Sequence, residues 1–295
     1  MAGKFFLCKC AVMNLRTFIE QADLNWSEMY VQSDSSTGYH CPFPISPDEF
    51  ITFAKADVFS ADARGYINAL TNAKRAIDSQ VDGLITSIGL KPDRLDKQLG
   101  SAGVAFLNSA VTQSGVPLKF RLLEVLGVAT PAIVAKMRQL RNALEHQYRK
   151  PKRNEVRDAI DVAELFVQAC GGRMRSSPES FSFGSGVTEH RGFREVAKDF
   201  MVHFKDEPEP QFSIQYWDRE TLPIRKTDHG IVSLSPTSPS PELKLQPKDE
   251  GFIPLMKFLW STEFNVRDLQ APLAAFLSAV GIKFPKSRLR VRGRL

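Results

Sequence analysis

The chain has 295 residues, 43% of them hydrophobic and 24% charged, with a formal net charge of +6 at pH 7. That length allows one large domain or two ordinary ones, and the balance of apolar and charged residues is that of a soluble globular protein, not a disordered or fibrous one. Its four cysteines show no disulfide framework, and no apolar run approaches the roughly 18 residues of a membrane span, which argues against a stapled secreted scaffold and a transmembrane chain.

At the N-terminus Lys4 precedes a short apolar run that Lys9 interrupts, and no small-residue cleavage site follows, so the segment does not read as a secretory signal. The cysteine usage fits a reducing cytoplasm, and no membrane partner is expected. Cys8-x-Cys10 and His40-Cys41 lack the gap of roughly two to four residues between paired cysteines that structural zinc sites use. They read as ordinary thiols, with no metal and no cofactor expected. Residues 15–30 fit one helix, with Leu15, Phe18, Ile19 and Ala22 on a face, and residues 33–47 are turn-rich and read as a connector. Residues 1–46 are thus an N-terminal extension to the first strong signal.

That signal begins at Ser46-Pro47-Asp48-Glu49, a helix start with proline just inside it and acids in the first turn. Phe50, Phe53 and Ala54 open an apolar face. After Gly65 a long helix is predicted, striped by Ile67, Leu70, Ile77, Val81, Leu84 and Ile88. Beside the stripe, Asn68, Asn72, Arg75, Ser79 and Asp82 form a polar line that is either plain solvated surface or the border of a groove. Residues 100–115 read as loop with a short turn of helix, and residues 120–126 as a helix that Gly127 closes.

Two amphipathic helices are legible between Pro131 and Val167. Ile133, Met137, Leu140 and Leu144 line one face of the first, and Pro151, with no amide proton, ends it. Asn154 is placed to cap the second, whose stripe is Val156, Ile160, Ala163 and Val167. Off the first stripe lie Arg138, Arg141, Asn142, Glu145, His146 and Tyr148, a polar cluster that draws attention as a site. Short connections between these helices predict an antiparallel bundle over residues 47–172.

Residues 173–190, rich in Ser and Gly from Ser176 onward, read as a linker. Phe200, Val202 and Phe204 then alternate, residues 206–210 turn, and Phe212, Ile214 and Tyr216 alternate in their turn, which predicts a hairpin. Phe193, Val196, Phe200 and Phe204 also fit a helical register. Residues 231–234 and 242–245 are candidate short strands, and residues 249–260 and 269–280 read as helices. The fold class expected is therefore mainly α: a bundle of four to five antiparallel helices, followed over residues 191–295 by a small α+β module with a basic tail.

Charge placement sharpens the functional reading. The tail holds Lys283, Lys286, Arg288, Arg290, Arg292 and Arg294 with no acid among its last fifteen residues, and residues 136–157 carry eight Lys and Arg against Glu145 and Glu155. The rest of the chain is net acidic, so two basic segments stand out as candidates for a polyanionic partner, or as solvated charge runs. In the first reading, Arg138, Arg149, Lys150, Lys152, Arg153 and Arg157 attract a polyanion's backbone, which the resemblance given next implies is RNA, without reading bases. Arg288, Arg290 and Arg292 do the same from a strand or arm, unless the tail is a plain charged terminus.

The octet Arg141-Asn142-Ala143-Leu144-Glu145-His146-Gln147-Tyr148 resembles the signature of the HEPN superfamily: an arginine, a polar residue after it, and a histidine a short step on. The run Asn-Ala-Leu-x-x-Ala-Lys-Arg-Ala-Ile over residues 68–77 is similar to a second HEPN helix, and residues 155–166 to the helix that closes the HEPN bundle. The resemblance covers residues 47–170. It implies a HEPN-like bundle and a metal-independent endoribonuclease acting as a homodimer, with Arg141 and His146 of both subunits facing one cleft. It also places Tyr148, otherwise read as a packing or stacking tyrosine, where some HEPN toxins carry a regulatory tyrosine, which brings with it an antitoxin or nucleotidyltransferase partner and a role in toxin–antitoxin control or defence. The chain departs from minimal HEPN toxins in what it adds before residue 47 and after residue 172.

The residue chemistry is compatible with that expectation. RNA carries its own nucleophile, the 2′-hydroxyl beside the scissile phosphate. His146 can move the protons, because an imidazole titrates near pH ~6.5, and Arg141 can clamp the phosphate and stabilise its developing charge. Asn142 is placed to orient the ring or bond the phosphate, and Glu145 to pair with Arg141 or orient His146. Two other readings stand: a non-catalytic HEPN module that binds nucleotide or RNA, and a protein-interaction scaffold whose C-terminal module is the working part.

Overall fold

A computed structural model of the chain describes residues 14–38, 40–60, 62–111, 115–128, 151–173, 177–190, 193–219, 225–226, 232–233, 242–264, 269–284 and 291–292. They belong to two units, one of residues 37–177 with 206–208 and one of residues 1–36, 178–205 and 209–295.

The described residues begin with a short helix. The Asn14 side chain accepts from the Thr17 amide at 2.9 Å, and α1 (Leu15–Glu20) buries Leu15, Phe18 and Ile19. The single helix expected through residue 30 does not form. Asp23 takes a left-handed φ of 48°, and Asn25 Oδ1 accepts from both the amide and the hydroxyl of Ser27, a local turn that competes with helix. Of the residues read as a connector, 33–37 are instead the end of strand β1 (Met29–Thr37), whose Met29, Tyr30 and Val31 are buried.

Between Ser46 and Arg173 the described elements of the first unit are helices: α2 (Pro47–Asp57), a 3-10 turn at Val58–Ser60, α3 (Ala63–Ser87), a second 3-10 turn at Pro92–Arg94, α4 (Leu95–Ala110), α5 (Leu118–Val125) and α6 (Arg153–Arg173). Helix α2 starts with a capping box in which the Ser46 hydroxyl accepts from the Glu49 amide at 3.2 Å and Glu49 accepts from the Ser46 amide at 2.8 Å. The Ser46 amide, and after it the Ser46 hydroxyl donating to the same carboxylate at 2.9 Å, hold the Glu49 carboxyl below its ordinary value of 4.5. A carboxyl lowered in the folded state stabilises above the unfolded value, and that contribution disappears as pH falls through the folded value. Glu49→Gln is therefore expected to lower the melting temperature slightly at pH 7 and to make it less sensitive to pH below about 4.5, read by circular dichroism.

Helix α3 is the centre of this unit and packs against α2 and α6. Its inner face is built from Ala69, Ala73 and Ala76 beside Leu70, Ile77, Val81, Leu84 and Ile85. Small side chains let the neighbouring helices approach closely, so the inner face follows the alanines as well as the large aliphatics. Ile67, expected in the stripe, is 54% exposed for that reason. Asp62 Oδ1 accepts from the Gly65 amide at 2.6 Å and caps the helix. Asp62→Ala is expected to cost about 1 kcal/mol, measured as a lower urea midpoint by helical circular dichroism.

Helix α5 ends as its Gly127 predicts. Gly127 has φ 73°; its amide donates to Glu124 O and the Val128 amide to Leu123 O, both at 3.0 Å, which is a Schellman closure. Residues 100–110, expected to be mostly loop, are helical and continue α4 across a kink at Gly100, whose φ is 61°.

The second unit is built on a six-stranded sheet. Its remaining strands are β2 (Ser177–His190), β3 (Phe193–Lys205), β4 (Gln211–Asp218), β7 (Glu242–Leu245) and β8 (Val291–Arg292), in spatial order β7-β4-β3-β2-β1-β8; β5 (Arg225–Lys226) and β6 (Val232–Ser233) make a separate pair. The hairpin expected from Phe200 to Tyr216 forms, with Phe200 opposite Tyr216 and Val202 opposite Ile214. Register puts Phe181, Phe183, Phe200, Val202, Phe212, Ile214, Leu243 and Leu245 on one face. Helices α7 (Phe252–Phe264) and α8 (Gln270–Ala279) cover that face: the ring of Phe258 lies 5.2 Å from Phe181 and 5.2 Å from Phe276, and Phe252 lies 5.2 Å from Phe212.

The expectation of a mainly α chain with a small α+β appendage is overturned by this sheet. Residues 177–190, read as a linker, form a 14-residue strand antiparallel to β3. Their Ser and Gly content has another cause. Serine and glycine alternate with the buried Phe181 and Phe183, and a side chain at Gly184 would collide with the Lys198 carbonyl and Asp199 on the next strand. The small residues permit close strand approach, where composition suggested flexibility. The sheet also takes in β1, from before the helical unit, and β8 from the tail, pairing Met29 with Val291 and Tyr30 with Arg292 in parallel.

Candidate functional site

Arg138, Arg141, Asn142, Glu145, His146, Tyr148, Arg149 and Lys150 lie outside the described residues, as do Arg288 and Arg290. The structure gives the two flanks of the octet. Upstream, the chain leaves α5 through Gly127 and Val128, the latter buried. Downstream it re-enters at Pro151 and forms α6. That helix begins at Arg153, one residue before the cap expected at Asn154; Glu155 instead accepts from the Lys152 amide at 3.0 Å. One face of α6 is buried through Val156, Ala159, Ile160, Ala163, Phe166 and Val167, which fixes its rotation. Lys152, Arg153 and Arg157 are left exposed at its first turns.

This placement runs against helix electrostatics. A helix N-terminus carries roughly half a positive charge, so cations there are unfavourable by some tenths of a kcal/mol each. Glu155 offsets part of it. The local surface is left electropositive, suited to a phosphate backbone. Arg292, the tail residue of the set expected to bind RNA that is described, occupies a register position beside Tyr30 in strand β8.

The polar line on α3 divides into fastenings and a rim. Asn72 donates to Asp57 at 2.8 Å and joins α3 to α2. Asp82 accepts from Lys119 at 2.7 Å and joins α3 to α5. Asn68 and Arg75 are exposed. At its far end the line borders a cavity of about 470 Å³, lined by Asp78, Val81 and Asp82, by residues 92–96 in part, and by Pro117, Leu118, Lys119 and Phe120. Asp93 and Asp96 add to its carboxylates. Such a lining repels a polyanion, so this cavity is not where an RNA strand would lie. The sequence offered Asp78 and Asp82 a helical turn apart, but gave no sign that Lys119 would reach Asp82.

Cys8 and Cys10 are outside the described residues, His40 is exposed, and Cys41 is partly buried and Cys170 buried, both as thiols that form no disulfide. Among the described residues no group of three or more His, Cys, Asp or Glu is arranged to hold a metal ion, and no helix is long and apolar enough to cross a membrane. Comparisons with models of known families, with curated proteins and with solved structures give no match to this chain.

Proposed function

We propose that the chain is a metal-independent endoribonuclease of HEPN type, acting as a homodimer in which Arg141 and His146 do the chemistry. The observation that carries the proposal is the octet from Arg141 to Tyr148 set between helical flanks, with Lys152, Arg153 and Arg157 exposed at the start of the helix that follows it. In this reading His146 takes the proton from a ribose 2′-hydroxyl, the 2′-oxygen attacks the adjacent phosphorus, and the bond to the 5′-oxygen breaks. The leaving oxygen is protonated, and the products are a 2′,3′-cyclic phosphate and a 5′-hydroxyl. Arg141 stabilises the charge that grows on the phosphate oxygens. Asn142 and Glu145 position the pair, and the basic run holds the strand. Tyr148 is the point at which a nucleotidyltransferase or antitoxin would silence a toxin or defence nuclease of this kind.

The test uses the full-length protein and a mixed-sequence RNA pool in EDTA. Cleavage with cyclic-phosphate ends is expected. A substrate with a single 2′-deoxyribose on the 5′ side of a mapped cut should resist at that bond alone, since the nucleophile is missing. RNA bound tightly but never cut would favour a non-catalytic binding module. Cleavage that EDTA stops, or that proceeds at the deoxy position, would overturn the mechanism.

A further inference from the structure

We draw no further inference here: the strongest candidate, the cavity between α3, the turn at residues 92–96 and the start of α5, is a cluster of the carboxylates of Asp78, Asp82, Asp93 and Asp96 whose ammonium, Lys119, is already tied to Asp82, with no second feature that points to a ligand.

Discussion

His146→Ala is expected to lower the rate of RNA cleavage by roughly 10²- to 10⁴-fold, the usual worth of positioned proton transfer, while the unfolding midpoint stays that of the wild type. Arg141→Ala should fall by a similar factor. Arg141→Lys should recover only part of the loss, because an ammonium supplies charge without the planar fork that holds two phosphate oxygens. One geometric point gives a sharper test. On the helix that the sequence pattern predicts, five residues turn through about 500°, which leaves Arg141 and His146 about 140° apart. Two groups so placed meet on one phosphate most readily when each comes from a different subunit. Mixing the two inactive variants, Arg141→Ala and His146→Ala, would then restore part of the activity, since half of the composite sites in a mixed dimer are intact. If each subunit supplies a whole site, the mixture stays dead. Cleavage by His146→Ala at the wild-type rate would end the nuclease reading altogether.

How much of this molecule could be read from its sequence depends on how far apart the cooperating residues are. Ser46 and Glu49 are three residues apart and their capping box is local, so the start of α2 was legible. The same holds for Gly127, and for the hairpin in which Phe200, Val202 and Phe204 face Tyr216, Ile214 and Phe212 across a short turn. The competing helical register through Val196 gives way because alternation lets these residues pair with both neighbouring strands. Strands β1 and β8 had no such signal. Met29 and Val291 meet from opposite ends of the chain, and β1 loses its apolar character after Val31. Strand β2 was concealed by composition, since Ser and Gly mark a linker unless the partner strand that needs them small is known. The candidate site divides in the same way. Its octet is a local pattern that the sequence displays by itself and lies outside the described residues, whereas the Asp82–Lys119 fastening spans 37 residues and had no local signal.

Phe183→Ala puts that last point to a physical test. Phe183 is 2% exposed, and its ring centroid lies 5.1 Å from Phe200, 6.0 Å from Phe181, 6.2 Å from Phe258 and 6.1 Å from Phe276. Truncating such a side chain removes its transfer free energy and leaves a cavity that four surrounding rings cannot easily fill, for a loss of about 3–5 kcal/mol. Against a typical domain stability of about 5–15 kcal/mol, that is enough to change the folded fraction at body temperature. A linker phenylalanine, by contrast, would change stability by no more than about 0.5 kcal/mol. The three tryptophans, Trp26, Trp217 and Trp260, all belong to the sheet-containing unit, so their fluorescence follows its unfolding and not that of the helical one. Urea titration of Phe183→Ala by tryptophan fluorescence should therefore show a large drop in midpoint. The proposed nuclease activity of the molecules that remain folded should be unchanged, because Arg141 and His146 fall within residues 37–177, the other unit. A midpoint indistinguishable from wild type would mean that residues 177–190 are the tether their composition suggests, and that the sheet is not assembled through them.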